Sequence, residues 1–231
     1  MPSGPARAIS GEAVDGQPHG NADSAEWPFT KRMQEYRFPE GYRRMFLAAV
    51  AAFSERGFHG TTTRDIAARA EMSPAALYAF FSSKEDVLYK IAESALDLTA
   101  EMVSAEVSQG ADYARRLESV VSSLSAWHAY HSPVARVVLY QLDALNPDHL
   151  AEIVGKKRAI GRLVRDVIAD GVSAGEFTVA DVAGTATAIT SMCLDVSRWY
   201  RPGHSRTPEA IGELNAELAL RIVGARSAPI R

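Results

Sequence analysis

Two helix N-termini separated by a tight turn restrict the possible fold of this chain more than any other feature of its sequence. Thr62 is followed three residues later by Asp65, a spacing at which a threonine and a carboxylate cap the start of a helix together. Ser73 is a second N-cap, and Pro74 takes the first helical position, where its missing N–H costs nothing. About three residues separate the two helices, which is the connection that a helix-turn-helix needs. Residues 61–84 therefore predict a helix-turn-helix.

A further helix precedes this pair. Its apolar stripe ends at a glycine, the residue that most often ends a helix; the positions are Met45, Phe46, Ala49, Phe53 and Gly57. Ile66, Ala67 and Ala70 form the buried side of the second helix. Leu77 and Phe81, four residues apart, form the buried side of the third. The sequence thus predicts a three-helix unit.

This three-helix unit resembles the N-terminal DNA-binding region of TetR-type transcriptional regulators over about sixty residues. The positions that carry the resemblance are Gly57, Thr61, Thr62, Ile66, Ala67, Ala70, Ser73, Leu77, Tyr78, Phe81 and Lys84. The chain departs from the pattern at Glu71 and Ala75, where the family frequently has glycine. A left-handed backbone at Glu71 would cost about 1–2 kcal/mol.

The resemblance implies which residues would contact DNA. Base contacts would come from Thr63, Arg64, Ser73, Ala75, Ala76 and Ala79, and phosphate contacts from Thr62, Tyr78 and Lys84, with Pro74 beside them at the helix start. Arg64 is best able to read guanine, whereas the alanines offer only apolar contact to thymine methyl groups. Phe80 replaces a polar aromatic residue that is frequent in the family, so it packs against either the duplex or the core. DNA shape would supply much of the specificity.

The rest of the chain shows helical periodicity without strand signals, so the predicted fold class is all-α with roughly nine helices. A helix from Lys84 onward is followed by others at about 111–131, 133–143, 147–173, 179–200 and 207–224. We predict a disordered tail at 1–37, a helix-turn-helix domain at 38–84, and a ligand-binding and dimerisation domain at 85–231. The tail prediction rests on its Gly, Pro, Ser, Ala and Asp content and its lack of apolar periodicity.

In the family, the last two helices pair with their copies to form a homodimer. Small residues and an apolar stripe suit such a seam here: Ala183, Gly184, Ala186, Ala188, Ile211, Leu214, Leu218 and Ile222. Plain core helices would show the same pattern. Two heads related by a two-fold axis would read a palindromic operator with half-sites about one helical turn apart.

Charge agrees with a DNA-binding head. The chain has a net charge of −3, but residues 31–90 contain 10 Lys or Arg against 7 Asp or Glu. Ordinary scatter could produce the same local excess. Several of these cations, which could reach phosphates or simply be solvated, lie before and within the first helix: Lys31, Arg32, Arg37, Arg43 and Arg44.

The resemblance also implies an effector pocket within the larger domain, whose occupation weakens operator binding. Candidate lining residues are Met102, Trp127, Tyr130, His131, Tyr140, Ile168, Thr190, Leu194 and Arg198. The segment 197–203 is similar to one in regulators of fatty-acid and steroid breakdown that respond to acyl-CoA thioesters. There, Arg198 and Arg201 would pair with phosphates and Trp199 would stack on adenine. Alternatively, these arginines cap carbonyls at a helix end.

No constellation of residues indicates an enzyme, a cofactor or a metal. His128 and His131 lie three apart on one helical face, but no further ligand follows at a usual spacing. The single cysteine, Cys193, suits a reducing compartment, and no signal peptide or long apolar run is present. We therefore expect a cytoplasmic repressor. The alternative is a helical interaction protein or metal sensor with little sequence-specific DNA binding.

Overall fold

The computed structural model describes residues 38–109 and 112–225. The predicted tail at 1–37 lies outside them. Within the described ranges the chain forms nine α-helices and a short 3₁₀ turn, without strands. The helices are α1 Glu40–Arg56, α2 Thr63–Arg69, α3 Pro74–Tyr78, α4 Lys84–Val107, α5 Tyr113–Tyr130, α6 Ser132–Tyr140, α7 Pro147–Ser173, α8 Val182–Trp199 and α9 Pro208–Ile222. The predicted all-α fold is confirmed, and none of these helices is long and apolar enough to cross a membrane.

The predicted helix starts of the helix-turn-helix are confirmed at atomic detail. Thr62 Oγ1 accepts a hydrogen bond from the Asp65 N–H, and Asp65 Oδ2 accepts one from the Thr62 N–H. The Ser73 hydroxyl accepts a bond from the Ala76 N–H at the start of α3. These caps satisfy backbone donors that have no partner inside the helix. Local sequence alone therefore fixes where α2 and α3 begin.

The three-helix head, α1 to α3, packs around apolar side chains of α1. Its largest buried residues are Met45, Phe46, Phe53, Ile66, Leu77 and Phe81. Each lies at a position where helical periodicity predicts an inward face. Phe80, for which two environments were open, is half-buried, and its ring meets Tyr42 edge-on with 6.1 Å between centroids. Phe80 therefore belongs to the core of the head.

Helix α4 joins the head to the body formed by α5 to α9. Lys84, its first residue, donates hydrogen bonds of 2.8 Å to the carbonyl oxygens of both Phe58 and Thr61. The next residue, Glu85, accepts from the Asn146 N–H at 3.0 Å and lies 2.9 Å from His149 Nδ1 at the start of α7. The first turn of α4 is thus bonded on one side to the head and on the other to the body. The boundary predicted between residues 84 and 85 divides this continuous helix.

Glu71, in the turn between α2 and α3, has a φ of 54°. We expect Glu71→Gly to stabilise the protein by about 0.5 kcal/mol, because the left-handed backbone costs a side chain about 1–2 kcal/mol. Part of that gain is offset by the greater entropy of an unfolded glycine, about 0.4–1 kcal/mol. The exposed ion pair of Glu71 with Arg44 adds less than about 1 kcal/mol. Urea unfolding measures the difference.

Glu71→Gln is the matched control for this substitution. It removes the charge while it keeps a side chain on the strained backbone, so we expect its stability to stay within about 0.5 kcal/mol of the parent. A glycine variant less stable than the glutamine variant would contradict the strain argument.

Candidate nucleic-acid interface and ligand cavity

The residues predicted to contact DNA occupy the outer surface of α2 and α3. Seven of them are exposed: Thr62, Arg64, Ser73, Pro74, Ala75, Tyr78 and Ala79. Thr63, Ala76 and Lys84 are half-buried. Tyr78 stands out, because 58% of this aromatic side chain is exposed although the neighbouring Leu77 is fully buried. An exposed tyrosine can offer its hydroxyl to a phosphate.

Arg64 is an exposed cation of this surface whose guanidinium is available for a contact with DNA. The other arginines between residues 38 and 84 all form ion pairs within the head: Arg43 with Glu40, Arg44 with Glu71, Arg56 with Asp65 and Arg69 with Glu55. Arg64 is exposed, and it forms no ion pair with any described residue. Its guanidinium can therefore approach a base edge or a phosphate without first breaking a bond to a carboxylate.

Two residues that are predicted to contact phosphates, Thr62 and Lys84, use most of their hydrogen-bond donors inside the head. The Thr62 hydroxyl donates to Asp65 Oδ2 at 2.7 Å, so its proton is committed to the cap. Two of the three N–H donors of Lys84 are bonded to carbonyls, and its ammonium lies 4.1 Å from the centre of the Phe58 ring. Burial lowers the pKa of Lys84. Lys84 therefore chiefly fixes α4 to the head, with one donor left for a phosphate.

A cavity of about 100 Å³ lies among α4, α5, α6, α7 and α8. Four predicted residues line it: Trp127, His131, Thr190 and Leu194. The sequence prediction missed Ala95, Leu96, Thr99, Leu124, His128, Val134, Ala135, Val138, Leu139, Lys157, Ile160 and Gly161. Most of these have the same inward periodicity as core residues. The sequence therefore gives no signal that separates the lining of a cavity from a filled core.

The other five predicted residues do not line this cavity. Tyr140 is 57% exposed, and Tyr130 is exposed with its hydroxyl donating to Glu209. Arg198 is exposed and donates from Nε to Asp195 at 2.7 Å, since the two residues lie three apart on α8. Ile168 is fully buried in the core, and Met102 packs half-buried against it.

The cavity contains two neutral histidines. His128 donates from Nδ1 to the carbonyl of Leu124 at 2.7 Å, and burial lowers its pKa to about 4. His131 lies beside Trp127, with 4.1 Å between ring centres; burial and the neighbouring His128 lower its pKa to about 3. Among the described residues no group of three His, Cys, Asp or Glu could hold a metal ion. The pair therefore places two neutral imidazole rings in a mostly apolar space.

These lowered pKa values predict a loss of stability in acid. Below about pH 6.5 both histidines become protonated in the unfolded chain but stay neutral in the folded protein. As the pH is lowered, the free energy of unfolding therefore falls by about 1.4 kcal/mol per pH unit for each histidine. The loss continues until the pH reaches the folded pKa of about 4 for His128 and about 3 for His131. We expect His131→Leu to reduce the slope between about pH 6 and pH 4.5 by about 1.4 kcal/mol per unit. Urea unfolding at stepped pH measures it, and parallel slopes in parent and variant would contradict it.

A groove of about 460 Å³ between α7 and α8 adjoins the cavity. The groove and the cavity share Gly161, Thr190 and Leu194. Arg158 and Arg162 line the groove, are exposed and form no ion pair with a described residue. The apolar cavity and a groove with two available guanidinium groups are therefore neighbours that share part of their lining.

The segment 197–203, in contrast, matches the helix-end interpretation. Arg201 Nη1 donates to the carbonyl oxygens of Arg198 at 3.0 Å and Tyr200 at 2.7 Å. The Trp199 ring lies 5.3 Å from that of His204. Arg201 therefore caps free carbonyls at the end of α8, whereas Arg198 pairs with the Asp195 carboxylate.

Helices α8 and α9 present small and apolar residues on their outer surfaces. On α8, Ala183, Gly184 and Ala188 are exposed. On α9, Leu214 is 37% and Ile222 48% exposed. Two members of the predicted seam face inward instead: Ala186 and Ile211 are buried. Gly212 allows this face of α9 to pack closely against α5, because a Cβ there would lie 2.5 Å from the carbonyl oxygen of Ser122.

Together, the head with its exposed α3 and the cavity-containing body define a helix-turn-helix transcriptional regulator. Residues 46–91 match the family model "Bacterial regulatory proteins, tetR family", and residues 110–223 match "Tetracyclin repressor-like, C-terminal domain". The chain is 30% identical over 170 residues to the HTH-type transcriptional repressor KstR2 of Mycobacterium tuberculosis, covering 71% of this chain and 84% of that protein. The chain belongs to the TetR family of transcriptional regulators.

Solved structures agree with this assignment. A bacterial regulatory protein in the tetR family from Rhodococcus RHA1 is 36% identical, with a TM-score of 0.77, covering 82% of this chain and all of that one. AibR, solved in complex with isovaleryl coenzyme A and operator DNA, is 23% identical with a TM-score of 0.72, covering 81% of this chain and all of that one. The AibR likeness shows the fold alone. The family consists of transcriptional regulators and is not known for enzymes.

Proposed function

We propose that this protein is a repressor that binds a palindromic operator as a homodimer and is released by an acyl-CoA-like effector. The apolar cavity and the adjoining groove with its arginines, which share three lining residues, support the effector part of the proposal. The exposed surface of α2 and α3 carries the DNA part. Residues 38–84 would form the DNA-binding domain, and residues from 85 onward the ligand-binding and dimerisation domain.

On the DNA side, Arg64 would supply the main hydrogen-bonding contact to a base edge, since a guanidinium pairs with guanine O6 and N7. Tyr78 would hold a phosphate, together with backbone N–H groups at the start of α3, and Ser73 would contact a base. Thr63, Pro74, Ala75, Ala76 and Ala79 would make apolar or short-range contacts with the groove. With so few hydrogen-bonding side chains, operator shape would contribute much of the specificity.

The homodimer would form through the outer surfaces of α8 and α9. Exposed Leu214 and Ile222 would be buried there, while Gly184 and Ala188 would allow close approach of the partner helix. A single short recognition helix contributes too little for tight binding, and a two-fold axis doubles the contacts on a palindrome. The proposed dimer would thus allow a head with few base contacts to bind an operator tightly.

The effector would place its acyl group in the cavity and its phosphates beside Arg158 and Arg162. A guanidinium binds phosphate through paired N–H donors, and two such groups would hold the polyanionic end of coenzyme A. AibR has the same fold and was solved with a coenzyme A thioester bound. Arg198 and Arg201, first considered for this role, are already bonded at the end of α8.

Release of DNA would pass through α4. Three α4 residues, Ala95, Leu96 and Thr99, line the cavity, and Lys84 at the other end of the helix is bonded to the head. An effector that binds one position of α4 more tightly than another shifts the head toward the corresponding position. In a dimer this would change the separation of the two recognition helices and weaken operator binding.

Gly161 provides a sharp test of the effector part, because it borders both the cavity and the groove. A Cβ at Gly161 meets no atom within 4 Å, so we expect Gly161→Leu to fold and to fill the passage between them. The variant should bind a DNA duplex, selected from a random pool with the parent protein, as tightly as the parent does. Release of that duplex by acyl-CoA, measured by fluorescence anisotropy, should require at least about tenfold more effector in the variant than in the parent, equivalent to about 1.4 kcal/mol.

Gly155→Leu is the matched control, since Gly155 also lies in α7 with no atom within 4 Å of a Cβ, but lines neither space. It should release DNA like the parent. Equal responses of the two variants would overturn the proposed effector site. Failure to select any duplex, with an intact dimer, would instead favour an interaction protein that lacks specific DNA binding.

A further inference from the structure

We infer that the effector is a short-chain acyl thioester, with an acyl group of about four or five carbons. This inference rests on the proposed function, because it specifies which acyl-CoA the cavity selects. It follows from the volume of the cavity and the chemistry of its walls. A long fatty acyl chain or the four fused rings of a steroid would not fit.

The volume sets the limit on chain length. A protein cavity of about 150 Å³ accommodates benzene, whose six carbons fill it. At the same packing, a cavity of about 100 Å³ holds about four carbons. Protein interiors are close-packed, so a longer chain would require the walls to move. A carbon or two more can extend past Gly161 into the passage toward the groove.

The side chains that line the cavity favour an uncharged, mostly aliphatic acyl group. Besides the polar residues Thr99, His128, His131 and Lys157, the part of the cavity that the groove does not share is lined by apolar side chains, including Leu96 of α4, Leu124 of α5 and Val138 of α6. These residues are buried, so a carboxylate among them would lose its hydration without compensation. His128 and His131 are neutral there and supply no charge to balance an anion. An uncharged acyl end among these apolar side chains therefore avoids that cost, and Lys157, the cation of this lining, is left for the carbonyl end of the group.

Two other polar groups of the lining suit the thioester itself. Thr190 lines both spaces, and Lys157 lines the cavity from α7, four residues before Gly161. Either can donate a hydrogen bond to a carbonyl oxygen. From there the remainder of the molecule would continue to Arg158 and Arg162 in the groove. The cavity and the groove together thus offer apolar, hydrogen-bonding and cationic groups, the three kinds of contact that a short-chain acyl-CoA requires.

A chain-length series tests the inference. Acetyl, butyryl, isovaleryl, octanoyl and palmitoyl coenzyme A are titrated into the full-length protein by isothermal titration calorimetry. Each methylene that enters the cavity should raise affinity about fourfold, so affinity should climb from acetyl to butyryl or isovaleryl. It should then fall at least about tenfold for octanoyl and further for palmitoyl, since the extra carbons overfill the cavity.

A change in cavity size should move this optimum. Leu96→Ala removes side-chain carbons from the cavity wall, so the preferred acyl group should lengthen by about two or three carbons. Leu88→Ala is the matched control: Leu88 is buried in the same helix but does not line the cavity. Its chain-length preference should equal that of the parent. Direct binding is measured in both, which separates a change of preference from a loss of operator affinity.

The outcomes distinguish this inference from the function on which it rests. Tightest binding of palmitoyl coenzyme A would overturn the short-chain inference and leave an acyl-CoA-responsive repressor intact. An unchanged optimum in Leu96→Ala would overturn the role of the cavity in setting chain length. Absence of binding across the whole series would overturn both the inference and the acyl-CoA effector.

Discussion

Changing Leu214 and Ile222 to glutamate together should convert the protein into monomers and weaken operator binding by at least about a hundredfold. Both side chains are exposed on α9, so the two charges cost little in an isolated subunit. In the proposed dimer they would be buried next to the same two charges of the partner, without compensating cations. The loss in affinity follows because the second head no longer binds as part of the same molecule. Sedimentation equilibrium and fluorescence anisotropy measure the two effects.

Ser104→Glu with Ala151→Glu is a control of equal added charge. Both positions are exposed, in α4 and α7, away from the outer surfaces of α8 and α9. This variant should remain a dimer and bind the selected operator with little change. A dimer that survives the Leu214 and Ile222 substitutions would place the interface elsewhere on the body.

Tyr78→Ala should weaken operator binding by at least about tenfold in the dimer, because one phosphate contact worth about 1 kcal/mol would be lost from each head. The slope of the logarithm of affinity against the logarithm of salt concentration should stay nearly unchanged, since tyrosine carries no charge. Arg64→Ala should instead reduce that slope by about one per head or relax the preference for guanine at one base position. Anisotropy titrations over a range of salt concentrations distinguish the two.

Tyr140→Ala is a close control for Tyr78→Ala. Tyr140 is 57% exposed and Tyr78 58%, but Tyr140 lies on the body at the end of α6. It should leave operator affinity unchanged. Equal losses of operator affinity in the two variants would show that the loss in Tyr78→Ala does not come from a DNA contact. Unchanged affinity in Tyr78→Ala would exclude Tyr78 from the DNA interface. Lys84 is a poorer test residue, because its removal also breaks two hydrogen bonds that hold α4 to the head.

The sequence predicted the head well because the signals there are local. The caps of α2 and α3 act between residues three apart, so Thr62, Asp65 and Ser73 could be assigned before any contact was known. The inward periodicity of α1 likewise identified Met45 and Phe53 as core. The ten DNA-contact residues remain predictions, but most are on the exposed surface that such a role requires.

The lining of the cavity was predicted only in part because it comes from five helices. Trp127 and Thr190 were identified, whereas Leu96 and Gly161 were missed. Tyr140 and Arg198 were included on side-chain chemistry, yet they face solvent. Helical periodicity shows that a residue faces inward, but it contains no information on whether neighbouring helices fill the space.

The sequence by itself determined that this chain is all-α, where its helix-turn-helix begins, and which family it resembles. Helix caps, turn lengths and inward stripes depend on residues within a few positions of one another, so they can be read along the chain. Only the tertiary structure decided that Lys84 holds α4 to the head and that Ile211 points inward. It also decided that Arg158 and Arg162 border a groove that shares lining residues with the cavity. These features depend on how distant helices pack, and packing distance is not encoded in any local pattern.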